Sequence, residues 1–216
     1  MIDLFRKKYA QPGSAPGELL PLPVAPATIV YCVVYDANGM LHESRGVPDD
    51  PAGLRRAGAT LWLHFAGQPE VGDLRRVGEA LGLHPLALED VMHHGQRPKL
   101  DDFDDHLFLE MGCLTQEGIH PVVHDFSLFL GQDFVVSVYY GSENLFAGVH
   151  ARLVDASGRL RRSGTDRLAH AQSEDEKVER HQQEASAVGE QPGEESDARG
   201  GGRERGSVLP APGPSL

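Results

Sequence analysis

No stretch of the sequence reaches the roughly twenty apolar residues that a membrane-spanning helix requires. The longest apolar runs, such as Phe134 to Tyr140, have the length of a strand. As written, the chain reads as soluble and cytoplasmic. Its start lacks an apolar run too: Met1 to Lys8 is charged and amphipathic, and Gln11 to Pro26 is broken by prolines, which excludes an ordinary secretory signal. Cysteine is scarce. Two residues, Cys32 and Cys113, far apart in apolar β-like segments, cannot make a disulfide framework and read as buried structural thiols. Basic residues are outnumbered: 20 Lys and Arg face 32 Asp and Glu, and the net charge of −12 repels a nucleic-acid backbone. Cations are the natural small partners of such a field. Also absent are a GxGxxG turn after a strand, a GxxxxGKS/T loop, a GxSxG elbow and an HExxH pair, so no enzyme is indicated. His64, His84, His124 and His170 sit beside apolar residues without a nucleophile partner and read as structural.

What is present fits one ordinary domain with appendages, since single cores commonly fill 100 to 200 residues. Residues 1–26 are Pro- and Gly-rich and read as a mobile leader. The run TIVYCVVYD, Thr28 to Asp36, is β-branched and aromatic and ends at Asn38-Gly39, so Met40 to Arg45 is expected back as its hairpin partner. Asp49-Asp50-Pro51 marks a short helix to about Ala57, followed by a buried strand, Ala59 to Phe65. Leu74, Val77, Ala80 and Leu81 have helical spacing, closed by Gly82. Strands are expected over His106 to Leu114, Val122 to Leu130 and Phe134 to Tyr140, the last two joined by a hairpin at Gly131-Gln132-Asp133. A helix from Ser142 or Glu143 to Leu153 comes next, and another begins at Thr165, read as an N-cap. Helices and strands mix without strict alternation, which predicts an α/β (α+β mixed) fold: a mixed β-sheet sandwiched by helices. From Gln172 to Leu216 large apolar residues nearly vanish, and this polar tail is expected to be disordered.

The densest stretch is Leu83 to Lys99, LHPLALEDVMHHGQRPK. Pro85 suits a first helical turn, and a helix to about His94 turns Leu86 and Met92, with Leu88 or Val91, toward a core. The same helix puts Glu89 and His93, and Asp90 and His94, each four apart on one face. That spacing permits a zinc site, an acid-base cluster, or simply a solvated surface. A hard cation asks for less, because Mg2+ keeps several waters and takes one or two carboxylates; Glu89 and Asp90 are then half of a weak site. In Asp101 to Asp105, DDFDD, four carboxylates surround Phe103, and the reading is a solvated strand edge or turn with the ring buried. Arg97-Pro98-Lys99 is too small for a nucleic-acid patch and is expected to pair with those acids.

The string LHPLALEDVMHHGQRPKLDDFDDHLFLEM closely resembles the cytoplasmic domain of the CorA family of magnesium and cobalt channels. The likeness extends over about residues 28–171, where GRLRRSGTDRLAHA, Gly158 to Ala171, is similar to the lead into that family's stalk helix. The resemblance implies that residues 27–171 are a cytoplasmic domain sensing divalent cations, assembled in the family as a pentamer at the membrane. It places the family's sensor carboxylates on Glu89, Asp90 and Asp166, with Mg2+ as weak regulatory ligand and Co2+ as a second ion. A partner carboxylate in the stalk, two membrane segments and a Gly-Met-Asn motif have no match, so the chain is expected to lack a pore and to represent a truncated or frameshifted frame. Two roles follow from the resemblance: a regulatory domain forming homo-oligomers, or a freestanding interaction protein binding full-length CorA-like subunits.

Overall fold

In a computed structural model the described residues are 16–17, 19, 28–117, 120–141, 147–155 and 159–173. Seven strands, β1 (Ile29–Asp36), β2 (Met40–Arg45), β3 (Ala59–Ala66), β4 (Lys99–Phe103), β5 (His106–Glu117), β6 (His120–Gly131) and β7 (Phe134–Tyr139), form one sheet in the order β2-β1-β3-β7-β6-β5-β4. All neighbours are antiparallel except the central pair, β3 and β7, which run parallel with Leu61 opposite Phe134 and Ala66 opposite Tyr139. The helices are α1 (Val71–Leu81), α2 (Pro85–Val91) and α3 (Ala147–Val154), and residues 165–173 are helical as well.

Burial grades from the centre of the sheet to its edges, and the sequence carries the same gradient. The central strand β7 is buried at every position, and β3 at all but its second and last, so both read as continuous apolar runs. The edge strands β2 and β4 alternate half-buried and exposed residues, as strands with one covered face do. One face packs Leu61, Leu63, Phe65, Phe129 and Val136 under α1 and α2; the other packs Trp62, Phe126, Leu128 and Val135 under α3 and the 165–173 helix. The sheet is thus covered on both sides, as the residue pattern predicts. Cys32 lies in the first core and Cys113 in the second, both free and buried, and burial pushes the Cys32 thiol up to about 11.

Local chemistry explains the turns. Asp36 Oδ1 accepts from the backbone N–H of Asn38 at 2.7 Å and Gly39 at 2.9 Å, which closes the β1–β2 hairpin. Gly82 takes the left-handed conformation, φ 71°, and ends α1, while Leu83 N–H returns to the Gly78 carbonyl at 2.9 Å. The helix expected from Pro51 to Ala57 is instead one 3-10 turn, Ala52–Leu54. Gly53 sits inside it, its N–H held by Asp50 Oδ1 at 2.9 Å, and Arg55 leaves the turn to clamp Asp133 at 2.7 and 3.0 Å on the β6–β7 hairpin.

Two segments differ at their ends from expectation. Gly17 and Leu19, within the stretch read as a mobile leader, are placed, and Leu19 is buried in the core beside α2. Gln172, read as the first residue of the tail, is helical and fully buried. Thr165 does not cap its helix; its hydroxyl donates 2.8 Å to the Gly131 carbonyl and ties the helix to the end of β6. The expected start of α3 at Ser142 or Glu143 and the tail beyond Ser173 lie outside the described residues.

The central strands hold one buried polar relay. Ser137 Oγ on β7 accepts from Trp62 Nε1–H at 3.0 Å and lies 2.9 Å from His64 Nδ1 on the neighbouring β3. Burial pushes His64 down to about 3, so the ring is neutral and Nδ1 accepts the Ser137 proton. Ser137 and His64 resemble a nucleophile and base, yet both are sealed in the core, where no substrate reaches. Replacement Ser137→Ala strips the Trp62 N–H of its acceptor, and urea unfolding at pH 7 is expected to show a loss of about 2 kcal/mol. An unchanged midpoint would mean that the relay is energetically neutral.

Candidate functional site

The candidate site begins with α2. His84 precedes the helix with its ring nitrogen accepting from Leu86 N–H at 3.3 Å, and Pro85 fills the first turn, where no donor is needed. Ala87, Leu88, Val91 and Met92 face the core, whereas Leu86 does not: it is 47% exposed. The helix ends at Val91, one turn sooner than expected, so His93 and His94 lie beyond it and the i, i+4 spacing of a continuous helix does not extend to them. Helical geometry stops because the following residues are recruited elsewhere. The Asp125 carboxylate of β6 takes His94 Nδ1 at 3.2 Å and Gly95 N–H at 2.8 Å, and the His94 ring stands edge-on to Tyr140 at 4.4 Å. His94 is therefore a tether of the loop rather than a free surface residue.

Glu89 and Asp90 are half-buried on the outer side of α2, and each is already engaged. Glu89 Oε2 accepts the Gly17 N–H at 2.6 Å, so the leader touches the candidate site. Asp90 Oδ1 accepts from Gln96 Nε2 at 3.1 Å and Oδ2 from Lys99 Nζ at 2.6 Å. Lys99 also reaches Asp101 Oδ2 at 2.8 Å, which realises the expected pairing with the acidic DDFDD stretch. Partial burial works against the Lys99 ammonium, but the hydrogen bonds to Asp101 and Asp90 prevail and raise its pKa. Phe103, in the middle of DDFDD, is stacked between His84 at 4.4 Å and His106 at 5.2 Å, while Asp104 and Asp105 turn in solvent.

Behind this layer lies a residue that the sequence reading passed over. Glu110 of β5 stands opposite Lys99 on one side and Ser127 on the other, with only 2% of its surface exposed. Burial pushes its carboxyl up to about 9, with Asp125 and Asp90 adding to the rise against the Ser127 hydrogen bond and the Lys99 charge. The same group, after burial itself, helps to hold the Tyr140 phenol well above its ordinary value; that hydroxyl donates to the Val91 carbonyl at the end of α2. The signal for Glu110 was strand parity: in HLFLEMGCL it shares a face with Phe108, which is fully buried. The cluster of Asp90, Glu110 and Asp125 is thus compensated from within by Lys99 and by a neutral, protonated Glu110.

Asp166 is exposed near the start of the 165–173 helix, whose Leu168 and Ala171 pack on the opposite face of the sheet from α2. The structure brings Glu89 and Asp90 together and leaves Asp166 across the sheet from them. Among the described residues no group of three or more His, Cys, Asp or Glu is arranged to hold a metal ion. Within one chain, then, the three carboxylates do not form a shared cradle for Mg2+. Among the described residues no helix is long and apolar enough to cross a membrane.

Comparison with known proteins gives consistent matches. Residues 57–182 match the family described as CorA-like Mg2+ transporter protein, an interval that starts later and runs further than the stretch of resemblance at 28–171. The chain is 28% identical over 120 residues to the cobalt/magnesium transport protein CorA of Thermotoga maritima, covering 55% of this chain and 34% of that protein. It is 31% identical over 112 residues to the putative metal ion transporter YfjQ of Bacillus subtilis, covering 52% and 34% respectively. The chain thus spans about a third of the length of these curated relatives. Among solved structures it resembles the CorA magnesium transporter from Methanocaldococcus jannaschii, with a TM-score of 0.54, 10% identity and coverage of 77% of this chain and 49% of that one. A full-length CmaX protein aligns similarly, with a TM-score of 0.53, 15% identity, and 78% and 50% coverage. These two likenesses concern the fold.

The buried carboxyl makes a signed prediction. Since the folded Glu110 pKa is raised from 4.5 to about 9, the folded state keeps a proton that the unfolded chain releases above pH 4.5. Its contribution is complete below that pH and is lost as pH rises toward 9. In urea unfolding, Glu110→Gln is expected to gain on the native sequence by roughly 4 kcal/mol between pH 5 and pH 8. Parallel pH profiles for the two proteins would contradict the neutral-carboxyl assignment.

Proposed function

The chain belongs to the CorA-like Mg2+ transporter protein family, and from that premise we propose that residues 27–171 form a regulatory domain that senses divalent cations. Glu89 and Asp90 are its half-site, Asp166 of a second copy completes it, and the ligand is Mg2+, with Co2+ as a second ion. The observation that carries this reading is the adjacent Glu89-Asp90 pair, half-exposed on the outer side of α2, with Asp90 held by an ammonium instead of by the backbone. A cation already occupies the place that another cation would take.

The physical consequence is weak binding. A divalent ion reaching Asp90 competes with Lys99 Nζ at 2.6 Å, and one reaching Glu89 meets a carboxylate already bonded to Gly17. Mg2+ keeps most of its waters and asks for only one or two carboxylates, so such a site suits an ion present at high concentration. Binding between copies stabilises the assembly by RT ln(1 + c/Kd) at free ion concentration c, which couples ion level to the arrangement of subunits. The role is regulatory and non-enzymatic, on the cytoplasmic side of a membrane, and the homo-oligomer is a pentamer as in the family.

The test is a titration of the full chain with MgCl2 and CoCl2, followed by sedimentation and melting temperature. NaCl at matched ionic strength serves as the control for screening of the net charge of −12. Saturable assembly is expected in the native chain. Asp90→Asn should raise the half-saturating concentration severalfold, and Lys99→Gln, which frees the carboxylate, should lower it. Equal responses in both variants, or an equal response to NaCl, would sink the assignment.

A further inference from the structure

On the far side of the sheet from α2, a cavity of about 310 Å3 opens where α3 meets the 165–173 helix. Arg152, Arg159, Arg167 and His170 line it against a single acid, Asp155, and the buried Leu160 and Ala171 give it a small apolar wall. The chain as a whole carries −12, yet between Arg152 and Arg167 there are five arginines and two aspartates, a local excess of three positive charges.

Only part of this excess has a structural reason. Arg161 donates to the Leu153 carbonyl and, at 2.8 Å, to the Asp155 carbonyl, which closes the C-terminal end of α3. Arg152 lies in the last turn of α3, where a cation is favoured by the helix dipole. Arg159 and Arg167 have neither role, and neither makes an ion pair with a described carboxylate. Like charges gathered around one hollow repel each other, and among the described lining residues Asp155 is the one carboxylate beside Arg159 and Arg167.

We propose that this cavity is a binding site for a small phosphate-bearing anion. Guanidinium groups present planar, bidentate donors that match phosphoryl oxygens. The volume admits more than one phosphoryl group, and the Leu160–Ala171 wall accepts a short apolar portion of the same molecule. An anion here bridges α3 and the 165–173 helix, which otherwise meet through the core residues Val149, Leu153, Leu168 and Ala171. It therefore fixes the helix that carries Asp166. The inference does not rest on the divalent-cation reading, because it uses no carboxylate of that site.

Calorimetric titration of the full chain, free of divalent ions, with sodium pyrophosphate and separately with inorganic phosphate tests it. Saturable binding of about one pyrophosphate per chain is expected, weaker for phosphate and weakened further by added NaCl. The double variant Arg159→Ala with Arg167→Ala should lose at least tenfold in affinity. Both side chains are exposed, so the fold is retained, and an unchanged melting temperature verifies this. A charge-matched control, Arg56→Ala with Arg75→Ala, removes two exposed arginines elsewhere and should leave binding unchanged. Absence of saturable binding at 10 mM of either anion, or equal losses in the two double variants, overturns the proposal. So does self-association of the native chain that the Arg159–Arg167 variant abolishes without any anion effect, since the occupant is then an acidic segment of another copy.

Discussion

The parallel pairing of β3 with β7 is the constraint on which the rest of the structure depends. Two strands buried on both faces must be covered from both sides, because any bare face would expose a continuous apolar surface. The chain meets that demand by sending α1 and α2 to one side and α3 with the 165–173 helix to the other. The candidate residues inherit this partition. The paired carboxylates Glu89 and Asp90 ride on the first layer, Asp166 and the arginine-lined cavity on the second. The sheet that joins the two layers covalently also keeps their charged groups apart.

Electrostatic compensation at the α2 end follows from the same burial. Glu110 points into the core because strand parity turns it inward with Phe108, and at 2% exposure an ionised carboxylate there would be costly. The structure resolves the cost by protonation, since Lys99 is already shared between Asp90 and Asp101 and has little left for a third carboxylate. Coupling then runs outward: the charge state of Glu110 acts on Tyr140, whose hydroxyl holds the last carbonyl of α2, one residue beyond Asp90. A helix of seven residues has few other fixings, so its end depends on Asp125 of β6 and on Tyr140 just after β7.

Most of the scaffold was legible because periodicity and burial point the same way. ATLWLHF reads as a buried strand, FVVSVY as a strand, MLHESR as the hairpin partner of the first strand, and Gly82 as a stop, and each stands as read. The misreadings share one cause, which is long-range recruitment of a local signal. Asp50-Pro51 looks like a helix start until Arg55 is drawn to Asp133, 78 residues away. His93 and His94 look like a continuation of α2 until Asp125, on β6, takes the loop. Thr165 looks like a cap, but its hydroxyl reaches Gly131. Of the candidate site, adjacency alone gives Glu89 beside Asp90, whereas the ammonium between Asp90 and Asp101 becomes visible only when β4 is placed against α2. The separation of Asp166 from that pair has no local signature, because it depends on which face of the sheet each helix covers.

That separation has a geometric consequence for any assembly built on these carboxylates. A site composed of Glu89 and Asp90 from one chain and Asp166 from another joins unlike surfaces, the α2 layer of one copy and the α3 layer of the next. Such a contact is heterologous. A two-fold dimer pairs like patches and leaves unlike ones free, so repeated unlike contacts extend until a rotation closes them into a ring or they continue as a filament. A divalent ion at the seam would offset the residual repulsion between Glu89, Asp90 and Asp166. The placement of these carboxylates on opposite faces of one sheet is thus what would make any contact between them head-to-tail.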